Sequence, residues 1–386
     1  MSDCTPFSSV VLLLKNMKKK ILLSSMICLT ALRALAVEKA PFTFEASYTG
    51  NVVANTLGGI KKGTSYLGKG NIGILFETEK ANFWKGGSFK IGIENTHGDS
   101  PRANLIGDYM VASNIEAGNH TYLSELWYTQ KIEKITLQAG LMNLNATFAA
   151  TDNASLLVNS AFGISPTISG NMHVPIFPMN GLGFVFSLDI NDQLCLSAGV
   201  YDGQLTDWDK NPYNIRWHVD ENEFLGILET HLSYKLFPRL SSDIKLGGYY
   251  YQNISTEMET LKKNYGIYLS YEQEILHTEK GPNLDLFTQL GIAPAYLNHN
   301  NIYLGFGCHT IRFWSTRPND EASFGVAMAH FGNKQKTETN LEVTYRFQFL
   351  HNIYLQPDLQ YIINPEGTEM KLENTLVAIV RFGLEF

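Results

Sequence analysis

From Asn340 to Leu350 the chain reads NLEVTYRFQFL. Leu341, Val343, Tyr345, Phe347 and Phe349 fall on one face, and Glu342, Thr344, Arg346 and Gln348 on the other. Strict period two is the signature of a strand, whose successive side chains leave opposite faces. The next segment repeats it, with Ile353, Leu355, Leu359 and Tyr361 set against Tyr354, Gln356, Asp358 and Gln360. Glu229–Lys235, Tyr265–Glu272 and Leu284–Ile292 alternate in the same way. A soluble sandwich also alternates, with its polar face outside. Here the apolar faces are rich in aromatics and the polar faces carry charges of both signs. That suits a lipid-facing wall around a wet interior.

Sixteen candidate strands follow, near 42–48, 70–77, 88–95, 121–130, 135–142, 182–189, 193–201 and 224–235, then 242–252, 263–274, 283–292, 300–308, 321–330, 338–350, 351–361 and 374–386. An even count is the rule for single-chain bacterial barrels. The connections 49–69, 96–120, 143–181 and 202–223 are long, whereas 78–87, 131–134, 190–192 and 236–241 are shorter. The expected fold is therefore all-β: a 16-stranded antiparallel transmembrane barrel with long outer loops and short periplasmic turns. Segment 143–181, the third outer loop, contains Pro166, Pro175 and Pro178. So long a connection without its own fold is usually functional or disordered, and it is expected to fold into the barrel and narrow the pore.

Composition agrees. Mean hydropathy is −0.10, too polar for a bundle of membrane helices, while aromatics reach 12% and charged residues only 17%. A polar lumen inside an apolar wall averages to such values.

The start reads as an export signal. Lys18-Lys19-Lys20 is the basic region, Ile21 to Leu32 the apolar stretch, and Ala34-Leu35-Ala36 a small-x-small cleavage site. Met17 would open this signal by itself. Residues 1–36 are thus expected to be extension and signal, and 37–386 the barrel. Five of the 30 basic and one of the 37 acidic residues lie in 1–36, leaving 25 basic against 36 acidic, net −11. An acidic exported chain is a poor partner for nucleic acid, which needs a basic face. Cys195 and Cys308 remain after the signal and are expected as free thiols.

No HExxH, GxSxG, Walker A or CxxC pattern occurs, so neither an enzyme nor a metal site is indicated. Gly68-Lys69-Gly70-Asn71-Ile72-Gly73 is a literal GxGxxG, but it enters a strand instead of opening a helix and reads as a flexible loop end. His231 and His309 read as wall or lumen residues, not ligands.

The last strand, Leu376, Ala378, Val380, Phe382, Leu384 and Phe386, presents one wholly apolar face ending on an aromatic. It resembles the C-terminal signal read by the barrel-assembly machinery. Parity offers inward candidates: Glu94, alternating with Ile91 and Ile93; Glu125 and Trp127, on the face opposite Tyr122, Leu126 and Tyr128; Arg346 and Asp358; and Arg381 and Glu385 on the closing strand. Each is either a pore-lining contact or one member of a charge pair that stiffens the wall. Trp127 is equally compatible with an interfacial aromatic girdle.

From Leu123 to Asn171 (LSELWYTQKIEKITLQAGLMNLNATFAATDNASLLVNSAFGISPTISGN), from Val174 to Gln204 (VPIFPMNGLGFVFSLDINDQLCLSAGVYDGQ) and from Leu355 to Gly367 (LQPDLQYIINPEG), the chain resembles the OprB carbohydrate-selective porins. That resemblance implies a sixteen-stranded outer-membrane barrel, passive diffusion of small sugars and no cofactor. Its partners would be sugars and outer-membrane lipids, and trimer formation is left open. A general or ion-selective porin shares every architectural feature and is the alternative.

Overall fold

The computed structural model describes residues 40–203, 208–217, 223–237, 240–255, 260–278, 281–332, 336–368 and 371–386. The expected signal at 1–36 lies outside them. Sixteen antiparallel strands form one closed barrel: β1 (Phe42–Leu57), β2 (Gly63–Glu77), β3 (Gly87–Gly98), β4 (His120–Ile132), β5 (Ile135–Met142), β6 (Gly181–Asp189), β7 (Leu194–Asp202), β8 (Phe224–Phe237), β9 (Leu240–Ser255), β10 (Thr260–Leu276), β11 (Asn283–Ile292), β12 (Ile302–Ile311), β13 (Glu321–Phe331), β14 (Lys336–Leu350), β15 (Ile353–Ile363) and β16 (Thr375–Glu385). Closure comes from β16 pairing with β1, Val53 opposite Ile379 and Ser47 opposite Glu385. No sheet edge is left open, as backbone groups inside a bilayer require. Among the described residues no helix is long and apolar enough to cross a membrane; the strands do so.

Outward positions are apolar. Ile72, Leu228 and Ile267 are 66%, 64% and 55% exposed, which is the surface a bilayer covers. Phe83 and Trp84 in the turn after β2, and Phe313 and Trp314 in the turn after β12, place exposed aromatics at one rim, where their amphipathic rings suit the interface. The same rim has the tight turns 133–134 and 351–352. The opposite, outer rim carries 99–119, 143–180 and 208–217.

One expected loop is corrected. The connection 49–69 is mostly strand, because β1 runs to Leu57 and β2 starts at Gly63. The GxGxxG stretch accordingly lies inside β2 and is no loop end. Its glycines hid the strand, since glycine is depleted in strands generally. Bare backbone at Gly68, and at Gly50 on the neighbouring β1, is covered by rings: a Cβ on Gly68 would lie 2.6 Å from the Tyr48 hydroxyl, and one on Gly50 would run into the Phe382 ring.

A second correction concerns parity. A bulge between Gly92 and Ile93 on β3, facing Glu125 and Leu123 on β4, adds Ser124 as an extra residue. It changes the phase of β4, so Tyr122 pairs with Glu94 and turns inward along with Glu125 and Trp127. Bulges of this kind re-aim side chains and are invisible to simple alternation.

Candidate functional site: the occluded lumen

The lumen is not an open tube. Segment 143–180 folds inside, as expected, and so does 99–119, which the sequence did not single out. Three apolar clusters seal them to the wall. Leu105, Ile106 and Ile115 pack on Val53, Val377 and Ile379. Leu157 and Phe162 pack on Phe287, Tyr303 and Phe331. Phe148, Ile168 and Met172 pack on Tyr201, Ile227 and Tyr249. Each large apolar side chain removed from water in this way contributes about 1.5–3 kcal/mol. The inner wall thus carries apolar patches where the loops dock, and β16 turns Val377 and Ile379 inward although a wet lumen would call for polar residues there.

What the loops leave free is a cavity of about 780 Å³. Ser47 and Thr49 of β1, Lys69 and Asn71 of β2, and Arg381 of β16 form one side. Arg102, Tyr109, Asn114 and Glu116 of the first inward loop, with Asn171 and Phe177 of the second, form the other. The lining mixes amides, hydroxyls, cations and aromatic faces.

Its geometry is specific. Lys69 Nζ lies 3.1 Å from Glu94 Oε1 and 4.1 Å from the centre of the Phe177 ring. Glu94 also accepts a 2.6 Å bond from the Tyr122 hydroxyl. Tyr122 meets Trp208 edge-on at 5.1 Å, and Trp208 stacks on His120 at 4.3 Å. Arg381 donates through Nε to Asn51 and through a terminal nitrogen to Asn114. The Arg102 backbone N–H donates to both Glu116 oxygens at 3.2–3.3 Å, and its Nε donates to the Asp108 carbonyl at 2.9 Å. Burial pushes the Glu116 carboxyl up to about 7 and the Asp108 carboxyl up to about 6.

The seven inward candidates are not gathered into one ring. Arg381 borders the cavity, and Glu94 reaches it through Lys69. Glu125 accepts from Trp127 Nε1 at 3.1 Å, and Trp127 packs against the loop core, not in a girdle. Arg346 pairs with Glu385 at 3.1 Å and lies 3.8 Å above the Tyr354 ring, towards the short-turn rim. Asp358 points inward but is only 5% exposed, and it accepts from Gln360. Lys69, Arg102, Asn114, Glu116 and Phe177 were missed. Four of them sit on loops without periodicity, and Lys69 was masked by flanking glycines.

Other expectations concern chemistry. Cys195 and Cys308 are free thiols. Among the described residues no group of three His, Cys, Asp or Glu side chains is placed to hold a metal. His231 bonds Asp243 at 2.9 Å and His309 bonds Ser323 at 3.0 Å, both on the inner wall.

Comparison with known proteins agrees with this architecture. The profile of the carbohydrate-selective porin, OprB family, matches residues 61–386. The Pseudomonas putida OprB structure at high pH superposes with a TM-score of 0.79 at 20% identity, covering 90% of this chain and 95% of that one. Its low-pH structure gives 0.61 at 18% identity, covering 90% and 93%. QuiX of Acinetobacter baylyi, a porin by name, is 20% identical over 91% of this chain and 90% of its own length. With the family profile spanning nearly all of the barrel, the chain belongs to the OprB family and is a carbohydrate-selective porin of the bacterial outer membrane, a channel and not an enzyme.

Proposed function

We propose that small sugars cross through the cavity between the β16–β1–β2 wall and the two inward loops, and that its lining selects them. The observation that carries this is the juxtaposition of Lys69 and Phe177 with Asn114, Asn171 and Arg381 around one space of about 780 Å³. Sugars are neutral, so recognition draws on hydroxyl-bonding side chains and on a flat ring against the C–H face. Binding of this kind is weak enough to release the solute, which conduction requires. Glu94 acts by holding Lys69 over the ring. Glu125, Trp127, Arg346, Asp358 and Glu385 act at a distance, stiffening the wall above and below.

Phe177→Ala tests the reading. Swelling of proteoliposomes in glucose should fall relative to swelling in a neutral amino acid of similar size. Equal change for both solutes would remove Phe177 from sugar contact.

The outer apolar belt is proposed to meet outer-membrane lipids. Phe386, 44% exposed on the outward face with its N–H bonded to the Ala46 carbonyl, is proposed as the residue read by the barrel-assembly machinery. Phe386→Ser should slow assembly in cells while leaving refolding into detergent unchanged. Equal assembly in cells would contradict that role.

A further inference from the structure

The second inward loop could lie anywhere across a lumen this wide, yet its stretch from Ala149 to Asn159 is bonded to β8, β10 and β14, leaving the passage at β16–β1–β2. Folding a loop indoors strips water from its backbone N–H groups, and each must find an acceptor. The wall supplies carboxylates. Glu229 on β8 accepts from Ala149 N–H at 2.8 Å and from the Tyr268 hydroxyl at 2.8 Å. Glu272 on β10 accepts from Asn153 N–H at 2.7 Å. Glu342 on β14 accepts from Val158 N–H and, at 3.1 Å, from Asn159 N–H. Glu338, two inward positions before Glu342 on β14, takes the Tyr109 and Met110 N–H groups of the first loop at 2.8 Å each, and Glu366 N–H at 2.7 Å. All four glutamates are at most 6% exposed.

These bonds point at the wall and away from the cavity. None of the four glutamates lines the passage, yet Tyr109 and Met110, held by Glu338, do line it, and so do Ser160 and Ala161, next along the chain from the pair held by Glu342. We infer that Glu229, Glu272, Glu338 and Glu342 are positioning residues: a set of carboxylate clamps on loop amides that fixes the width of the passage and thereby its size cut-off. The inference rests on the cavity being the sugar path. A carboxyl group suits the task because its two oxygens can accept from two successive N–H groups at once, as in Glu338 and Glu342. Glutamine keeps one acceptor and turns an NH2 donor towards the other N–H. Losing one such bond shifts the docked-to-released ratio of the loop by about tenfold or more.

The test uses the full chain refolded into bilayers, comparing wild type with Glu338→Gln and Glu342→Ala. Single-channel conductance and the swelling rate in a disaccharide relative to glucose are read together, with heat-modifiable migration reporting the closed barrel. Both variants should gain conductance and admit the disaccharide faster while the barrel stays closed. A merely damaged barrel loses conductance, so the direction of change separates positioning from folding. Unchanged conductance and cut-off in folded variants would overturn the inference. Hydrogen exchange on the wild type gives a check that needs no variant and no assumption about the path. The Tyr109, Met110, Val158 and Asn159 amides should be protected as well as strand amides are. Exchange at exposed-loop rates would sink the clamps outright, and protection with an unchanged cut-off would leave them without a role in selectivity.

Discussion

Arg381 on the closing strand is hydrogen-bonded to Asn114 of the first inward loop at 2.5 Å, and to Asn51 of the opening strand at 3.0 Å. One guanidinium therefore joins three parts: the seam between β16 and β1, the loop that partly fills the lumen, and the face of the cavity. Asn51 in turn donates to Ser113 at 2.8 Å, so the loop is held twice at this point.

Replacing Arg381 by methionine keeps much of the stem but removes both donors and the charge. Asn51, wholly buried, would lose a partner, and an orphaned buried polar group costs about 1–3 kcal/mol. The expected result is a barrel that still forms, unfolds at lower denaturant, and discriminates glucose from a neutral amino acid less sharply in swelling assays. Unchanged discrimination would show that Arg381 is a seam residue only.

Acidity should act through the first loop. Burial raises Glu116 to about 7 and Asp108 to about 6, whereas in an unfolded chain such carboxyls titrate near 4. The folded state therefore binds more protons between those values. The stability these groups contribute is fully present below the unfolded value and is lost as pH rises through about 6 to 7. Glu116 also borders the cavity, so its charge disappears there on acidification. The reversal potential in a salt gradient should move towards anions as pH falls from about 8 to about 6, the span over which a group of that pKa titrates. Glu116→Gln should abolish the step. A step of equal size in the variant would assign it elsewhere.

The barrel was legible because period-two alternation survives wherever a strand has lipid on one face. Asn340–Leu350, Leu284–Ile292 and the strand ending at Phe386 all show it, and the observed β14, β11 and β16 coincide closely with the expected ones. Alternation failed where other forces acted. In β1 and β2, glycines under the Tyr48 and Phe382 rings interrupt the pattern. In β4 one inserted residue, Ser124, reverses the phase and turns Tyr122 inward.

The site was far less legible. Parity told which strand residues point inward, and Glu94, Glu125, Trp127, Arg346, Asp358, Arg381 and Glu385 all do. Parity could not tell which of them a loop would cover. Asp358 and Arg381 lie on adjacent inward faces, yet only Arg381 borders the cavity, because both loops dock on the glutamines flanking Asp358, Gln356 on Leu156 and Gln360 on Ala112. The residues that line the cavity from the other side, Arg102, Asn114, Glu116 and Phe177, are placed by tertiary contacts of irregular loops. No period in the sequence records those contacts.

The most direct test of the account is swelling of proteoliposomes holding the wild-type protein in glucose, a disaccharide, a neutral amino acid and a small anion at matched osmolarity. A passage narrowed by two clamped loops and lined by amides, cations and a ring should admit glucose faster than an amino acid of similar size, and the disaccharide slowest. Entry ranked by size alone, with no advantage for the monosaccharide, would contradict a lining that recognises sugar.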